Sequence, residues 1–245
     1  MARDHKHNNI IQRKNQNTKK GQKILLYVEG RNTEPSYFNL LKKNNCKITP
    51  VTKPGQGIGS CVSFVETANK KFNSLKKEER HSYKQKWVVF DYDGHNDFAD
   101  GIKLARTYGF RTAFSNMCIE YWFLLHLINH DGSSIPLKGN SHSQAHIDII
   151  NDFIGKYNKK AIKKVIPYDC GSKTVEDDFF DLMMAIDSVT HNRRIEDACQ
   201  RAYGIHQRKI KNGNEFSESV TTMYELLVEL GTVKINDDGK FVLDK

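Results

Sequence analysis

Between residues 23 and 127 the hydrophobic pattern switches repeatedly from strand-like to helix-like, and this alternation limits the fold more than any other feature. Lys23 to Val28 is a short apolar run with β-branched and aromatic members, closed by Glu29-Gly30, and reads as a buried strand. Residues 35–43 place Tyr37, Phe38, Leu40 and Leu41 at helical spacing, with Asn32 or Thr33 as the cap and Pro35 tolerated in the first turn. A weaker strand is predicted at 47–52. Ser60 then caps a helix holding Val62, Phe64, Val65, Ala68 and Phe72. Residues 86–90 form a continuous apolar strand that ends in Asp91-Tyr92-Asp93-Gly94, and a helix over 97–108 closes at Gly109. A fourth strand at 110–114 and a helix at 118–127 complete the series. Strands that alternate with helices predict an α/β fold, a parallel four-stranded sheet flanked by helices and built by right-handed crossovers.

The rest of the chain reads differently. Residues 141–230 show helical periodicity alone, as in Ile147, Ile150, Phe153, Ile154 and Tyr157. Residues 232–235 and 240–243 flank Asn236-Asp237-Asp238-Gly239 and read as a β-hairpin. The expected division is a basic arm at 1–22, an α/β core at 23–130, and a mainly helical extension at 131–245 that ends in the hairpin and packs on the core.

Charge and cysteine usage narrow the class. With 38 Lys+Arg against 29 Asp+Glu the net charge is +9. Residues 1–22 supply more than half of it through Arg3, Lys6, Arg13, Lys14, Lys19 and Lys20 against Asp4 alone. Such a stretch suits either an electrostatic arm for a polyanion or a solvated tail. Five widely spaced cysteines without a C-x-x-C pair argue against a disulfide framework or a cysteine zinc site. The apolar runs are far shorter than the roughly 18–20 residues of a membrane span, and no apolar signal segment opens the chain. A soluble, cytoplasmic protein that does not engage membranes is expected.

In a parallel sheet ligands bind at the carboxyl ends of the strands. Glu29 follows the first strand there, and Asp91 and Asp93 follow the third. Extended residues i and i+2 point the same way, so Asp91 and Asp93 are expected to face together. Carboxylates gathered in this way repel unless neutralised, and a hard oxygen-seeking cation such as Mg²⁺ is the usual partner.

These segments resemble a known family. Glu29-Gly30 after one strand and Asp91-Tyr92-Asp93 after another are similar to the Toprim domain of topoisomerases, primases and several nucleases. More narrowly, three ordered segments resemble the RloB-like family: Val28-Glu29-Gly30-Arg31-Asn32-Thr33-Glu34-Pro35-Ser36-Tyr37-Phe38, Val89-Phe90-Asp91-Tyr92-Asp93-Gly94-His95, and Ser115-Asn116-Met117-Cys118-Ile119-Glu120-Tyr121-Trp122-Phe123-Leu124-Leu125-His126. In the third, Met117 stands where proline is usual. The resemblance implies a Toprim-like fold and a restriction-linked, bacterial anti-phage setting. By analogy with other Toprim nucleases it implies Mg²⁺- or Mn²⁺-dependent cleavage of RNA (tRNA included) or DNA.

Carried over, Asp91 and Asp93 hold the metal, and Glu29 is a further ligand or the general acid/base. Glu34 and Glu120 follow as catalytic candidates, each opening a helix after a strand end, where an acid also suits the macrodipole. His95 and Asn116 are candidates for contact with substrate. Lys173 is a candidate cation at the scissile phosphate, and Arg193, Arg194 and Arg208 are candidates for a phosphate-binding helix face or a merely solvated one. The loop Lys53–Ser60 is a flexible connection or a backbone phosphate contact, and without a G-K-[ST] ending it is not a Walker A loop. His126/His130 and His142/His146 lack the H-E-x-x-H glutamate, so zinc catalysis is not expected. His126 reads as a core or site-wall histidine, and His142/His146 as a solvent-facing helix start. The alternative to a nuclease is a non-catalytic nucleic-acid-binding or sensor subunit that partners a defence effector.

Overall fold

The computed structural model describes residues 22–44, 46–55, 59–169, 171–172 and 174–244. In chain order the elements are β1 (Lys23–Val28), α1 (Thr33–Asn44), β2 (Thr49–Pro54), α2 (Cys61–Ser74), α3 (Lys77–His81), β3 (Tyr83–Asp91), α4 (Phe98–Thr107), β4 (Arg111–Asn116) and α5 (Ile119–Leu127). There follow α6 (Gln144–Lys160), α7 (Asp177–Met184), α8 (Arg194–Lys211), β5 (Val220–Thr221), α9 (Met223–Glu229), β6 (Val233–Ile235) and β7 (Phe241–Leu243).

Five strands form one sheet in the order β2-β1-β3-β4-β5. The first four are parallel and β5 is antiparallel to β4. The expectation of four strands is therefore corrected by one. A two-residue strand carries no hydrophobic period, and β5 exists only because Ser115 and Asn116 offer it a ladder. β6 and β7 make the separate hairpin.

The strands are buried on both faces, as parallel strands covered by helices are. Along β1, Ile24, Leu26 and Val28 join one core cluster with α1 and α5, and Leu25 and Tyr27 join the other with α2 and α4. β3 divides its residues in the same way, Trp87 and Val89 against Val88 and Phe90. Helix α2 starts where Ser60 accepts from the Ser63 amide at 3.3 Å. Asp97, just before α4, accepts from the amides of Cys61 and Val62 at 3.3 and 3.0 Å, so the two helices are pinned at one end. Gly101 permits their close crossing, because a Cβ there would lie 2.8 Å from that of Cys61.

Helix α5 is apolar on all sides, and all nine of its residues are buried. A helix of that kind needs partners all round. The sheet covers one side, and α6, α7 and α8 cover the rest as an outer helical layer. Among the described residues no helix is long and apolar enough to cross a membrane.

One buried polar pair ties α5 to α1. Trp122, fully buried, donates its indole N–H to the Tyr37 hydroxyl at 3.0 Å. Tyr37→Phe is expected to strand that donor and cost about 1–3 kcal/mol, read as a lower denaturant midpoint with an unchanged slope.

Candidate active site

The chain leaves β1 through α1 on one face of the sheet, and leaves β3 through α4 on the other. A crevice opens where neighbouring strands send their connections to opposite faces, and here it lies between the ends of β1 and β3. Backbone and side chain join the two ends. The Glu29 amide donates to the Val89 carbonyl at 2.9 Å, and the Asp91 amide donates to Glu29 Oε2 at 3.3 Å.

Three further carboxylates reach the same crevice. Glu34, in the first turn of α1, folds back so that Oε1 accepts from the Gly30 amide at 3.2 Å. A Cβ at position 30 would stand 2.0 Å from Glu34 Oε2, so a side chain there would push the Glu34 carboxylate out of this place. Asp91 Oδ2 accepts from the Ile119 amide at 2.8 Å, so β3 supplies a cap that the α5 N-cap residue Cys118 does not. Glu120, one residue on, accepts from the Tyr168 hydroxyl at 3.1 Å.

Asp93 arrives by another route than the pleat. It has φ of 41° and Gly94 has φ of 78°, and the His95 amide donates to the Tyr92 carbonyl at 2.8 Å. Residues 92–95 thus form a tight turn with left-handed central residues, a conformation that aspartate and glycine tolerate. The expectation that Asp91 and Asp93 face together as extended neighbours is corrected. The turn, anchored by the Asp93 amide donating to the Met117 carbonyl at 3.1 Å, brings Asp93 to the cleft.

Glu29, Glu34, Asp91, Asp93 and Glu120 together line a cleft of about 550 Å³. Arg31 is the only permanently cationic side chain lining it among the described residues, and His95 also faces it. The electrostatics follow. Burial pushes the Glu29 pKa up to about 7, opposed by the bond from the Asp91 amide and reinforced by the charges of Asp93 and Asp97. Glu34 is raised by burial and by the charge of Glu120. Asp91 stands well above the usual carboxylate range, through burial first and the charge of Asp93 next. Burial also raises Glu120, against hydrogen bonds that include the one from Tyr168. A cluster of this kind holds protons near neutrality unless a cation takes their place.

The oxygen-only donors suit a hard divalent cation. Their placement is less complete: among the described residues no three His, Cys, Asp or Glu side chains converge closely enough to hold a metal ion. Glu29 and Asp91 each have one oxygen occupied by a backbone amide.

The other candidates lie apart from the carboxylates. Asn116 is buried, donates to the Phe216 carbonyl at 2.7 Å and leaves its Oδ1 without a partner. Its peptide bond to Met117 is cis. The expected basic face of α8 is corrected in part. Arg194 is buried and ion-paired with Asp187 at 3.1 Å, and Arg193 donates to the Met184 carbonyl at 3.0 Å. Arg208 is exposed and donates to the Asp131 carbonyl at 2.9 Å. None of these three arginines lines the cleft. Lys173 and residues 1–21 of the basic arm lie outside the described residues, as do three positions of the Lys53–Ser60 loop. His146, expected to face solvent, is buried edge-on against Tyr121, and His126 is buried with Nδ1 2.9 Å from the Trp122 carbonyl.

Sequence reasoning missed Arg31, Cys118 and Tyr168. Arg31 and Cys118 lie inside quoted motifs and were legible as neighbours of acids. Tyr168 is 48 residues from Glu120 and carries no local signal; Asn151 places it through two backbone hydrogen bonds of 2.7 and 2.9 Å.

A family model described as RloB-like protein matches residues 24–230. The chain belongs to the RloB-like family. No curated protein and no solved structure matches it. The RloB-like match runs past the three motifs, which end at His126, through the outer helices and α9. Tyr168, in the connection between α6 and α7, is therefore within the family unit.

The raised Glu29 pKa has a defined consequence for stability. The native state binds this proton more tightly than the unfolded chain, so the destabilisation is absent below about pH 4.5 and complete above about pH 7. In EDTA, Glu29→Gln is expected to match the wild type near pH 4.5 and to melt higher at pH 8. The gain is bounded by about 3 kcal/mol. Thermal unfolding at the two pH values checks it.

Proposed function

We propose that this protein is a Toprim-type, metal-dependent nuclease that cleaves RNA or DNA in the cytoplasm during bacterial anti-phage defence. One observation carries the reading: five carboxyl side chains from β1, α1, β3, the turn after β3, and α5 meet in one cleft at the point where the strand order reverses. Among the described residues that cleft has a single guanidinium to offset them. Repulsion on that scale is a poor way to stabilise a fold and a suitable way to bind a divalent ion. The Toprim and defence elements rest on the resemblance of the motifs.

Asp91, Asp93 and Glu29 are the residues that would hold Mg²⁺ or Mn²⁺. The chemistry such an ion supplies is polarisation of a phosphoryl oxygen and neutralisation of developing charge. The chain's own groups do the rest. Glu34, the neighbouring carboxylate outside that set, takes the proton of the attacking nucleophile. Arg31, at the mouth of the cleft, binds the phosphate and sets its approach. Tyr168 holds Glu120 in place, and His95 positions a phosphate or passes a proton.

The test is incubation of wild type and Asp91→Ala with duplex DNA, single strands and total tRNA in Mg²⁺ or Mn²⁺. Products are expected from the wild type on at least one substrate, lost in the variant and lost in EDTA. Arg31→Ala is expected to raise KM by about tenfold with a smaller change in kcat, as loss of a phosphate contact does.

A second reading is favoured by one specific observation, that no three ligating side chains converge as they stand among the described residues. It makes the protein a non-catalytic nucleic-acid-binding or sensor subunit of a defence system. Under that reading nucleic-acid affinity survives both EDTA and Asp91→Ala, and no products form with any substrate.

A further inference from the structure

A second cavity, larger than the carboxylate cleft, lies away from it. It is a groove of about 1150 Å³ between the last turns of α6, residues 185–190 and α8. Leu127, at the C-terminal end of α5, lines it, and Glu120, near the start of the same helix, lines the carboxylate cleft. The two sites are thus separated by about 10 Å of rigid helix.

Three features of the groove point to one kind of ligand. First, Phe153 and Tyr157, one helical turn apart on α6, offer two partly exposed rings on one wall. Second, Lys156, Lys159 and Lys160 follow on the same helix and are exposed. Lys156 is paired with Asp152 at 2.5 Å, whereas Lys159 and Lys160 are not offset by the acids of the groove, which are engaged elsewhere: Asp187 with Arg194 at 3.1 Å, and Asp197 with the Thr190 hydroxyl at 2.5 Å and Arg201 at 3.8 Å. Third, the Arg194 side chain is only 6% exposed and its Nε is buried without a hydrogen-bond partner. A buried guanidinium N–H left unpaired is costly, and an acceptor brought by a ligand removes that cost.

We propose that this groove binds a nucleotide. The base lies against Phe153 and Tyr157, the phosphates meet the lysines at the end of α6, and a base or sugar oxygen accepts from Arg194 Nε. An acidic peptide would satisfy the lysines but brings no planar group for the two rings. The site is independent of the carboxylate cleft and shares no lining residue with it.

The test is calorimetric titration of the full chain in EDTA, which removes any metal-bridged binding at the carboxylates. The probes are ATP, GTP, CTP, UTP, inorganic tripolyphosphate and an amphipathic Leu/Glu peptide. At least one nucleotide is expected to bind, and tripolyphosphate to bind it about tenfold more weakly. Lys159→Glu/Lys160→Glu, on exposed positions and with the fold checked by circular dichroism, is expected to weaken nucleotide binding by about tenfold or more. Asp91→Ala is expected to keep its affinity within about twofold. Arg194→Lys is a second variant, with folding checked first. The proposal is overturned if no nucleotide binds better than tripolyphosphate, if the lysine reversal has no effect, if Asp91→Ala abolishes binding, or if only the peptide binds.

Discussion

The Asp91 amide donates to the Glu29 side chain across the junction of β1 and β3, and the rest of the site is arranged around that contact. It joins two residues 62 positions apart, at the junction between β1 and β3 where the strand order reverses. From there Asp91 reaches on to cap α5, which sets Glu120, while the short Glu29-Gly30 step lets Glu34 fold back over the same opening. Glu29, Glu34 and Asp91 are consequently fixed by backbone amides and Glu120 by the Tyr168 hydroxyl, which restrains them from relieving their mutual repulsion by swinging outward into water. Burial and proximity then act together on every one of them whose titration is shifted.

Such a cluster lowers the stability of the metal-free chain and is tolerable because the surrounding core is extensive. One apolar cluster runs from β1 through α5 to the C-terminal hairpin, so the outer helices are not an appendage to the sheet. They enclose α5, and through Asn151 and Tyr168 they reach back to Glu120. The same outer layer forms the second cavity at the other end of α5. One fully buried helix therefore has a carboxylate cleft at its start and a lysine-rimmed groove at its end.

Much of the α/β part was legible in the sequence because its signals are local. β1 falls on the six residues of its apolar run, Ser60 caps α2, and Gly109 closes α4 with φ of 70°. Glu29, Asp91 and Asp93 were found from the strand ends, since a parallel sheet gathers those ends on one edge, and Glu34 and Glu120 followed from the family motifs as acids opening the next helices. The errors also have local causes. β5 is too short for a period to show, Asp93 was read as strand where Asp-Gly makes a turn, and His146 and Arg194 were read by polarity although the outer layer buries them.

By itself the sequence determined which segments become strands and helices, and which edge of the sheet carries the acids. Period, caps and turn residues act over a few neighbours and need no knowledge of the rest of the chain. The tertiary structure alone decided which distant groups share a space: Tyr168 with Glu120, Asp97 with the start of α2, and the outer helices around both ends of α5. Such pairings join residues far apart in the chain, and a helix buried on every side, as α5 is, has no polar face from which its neighbours can be read.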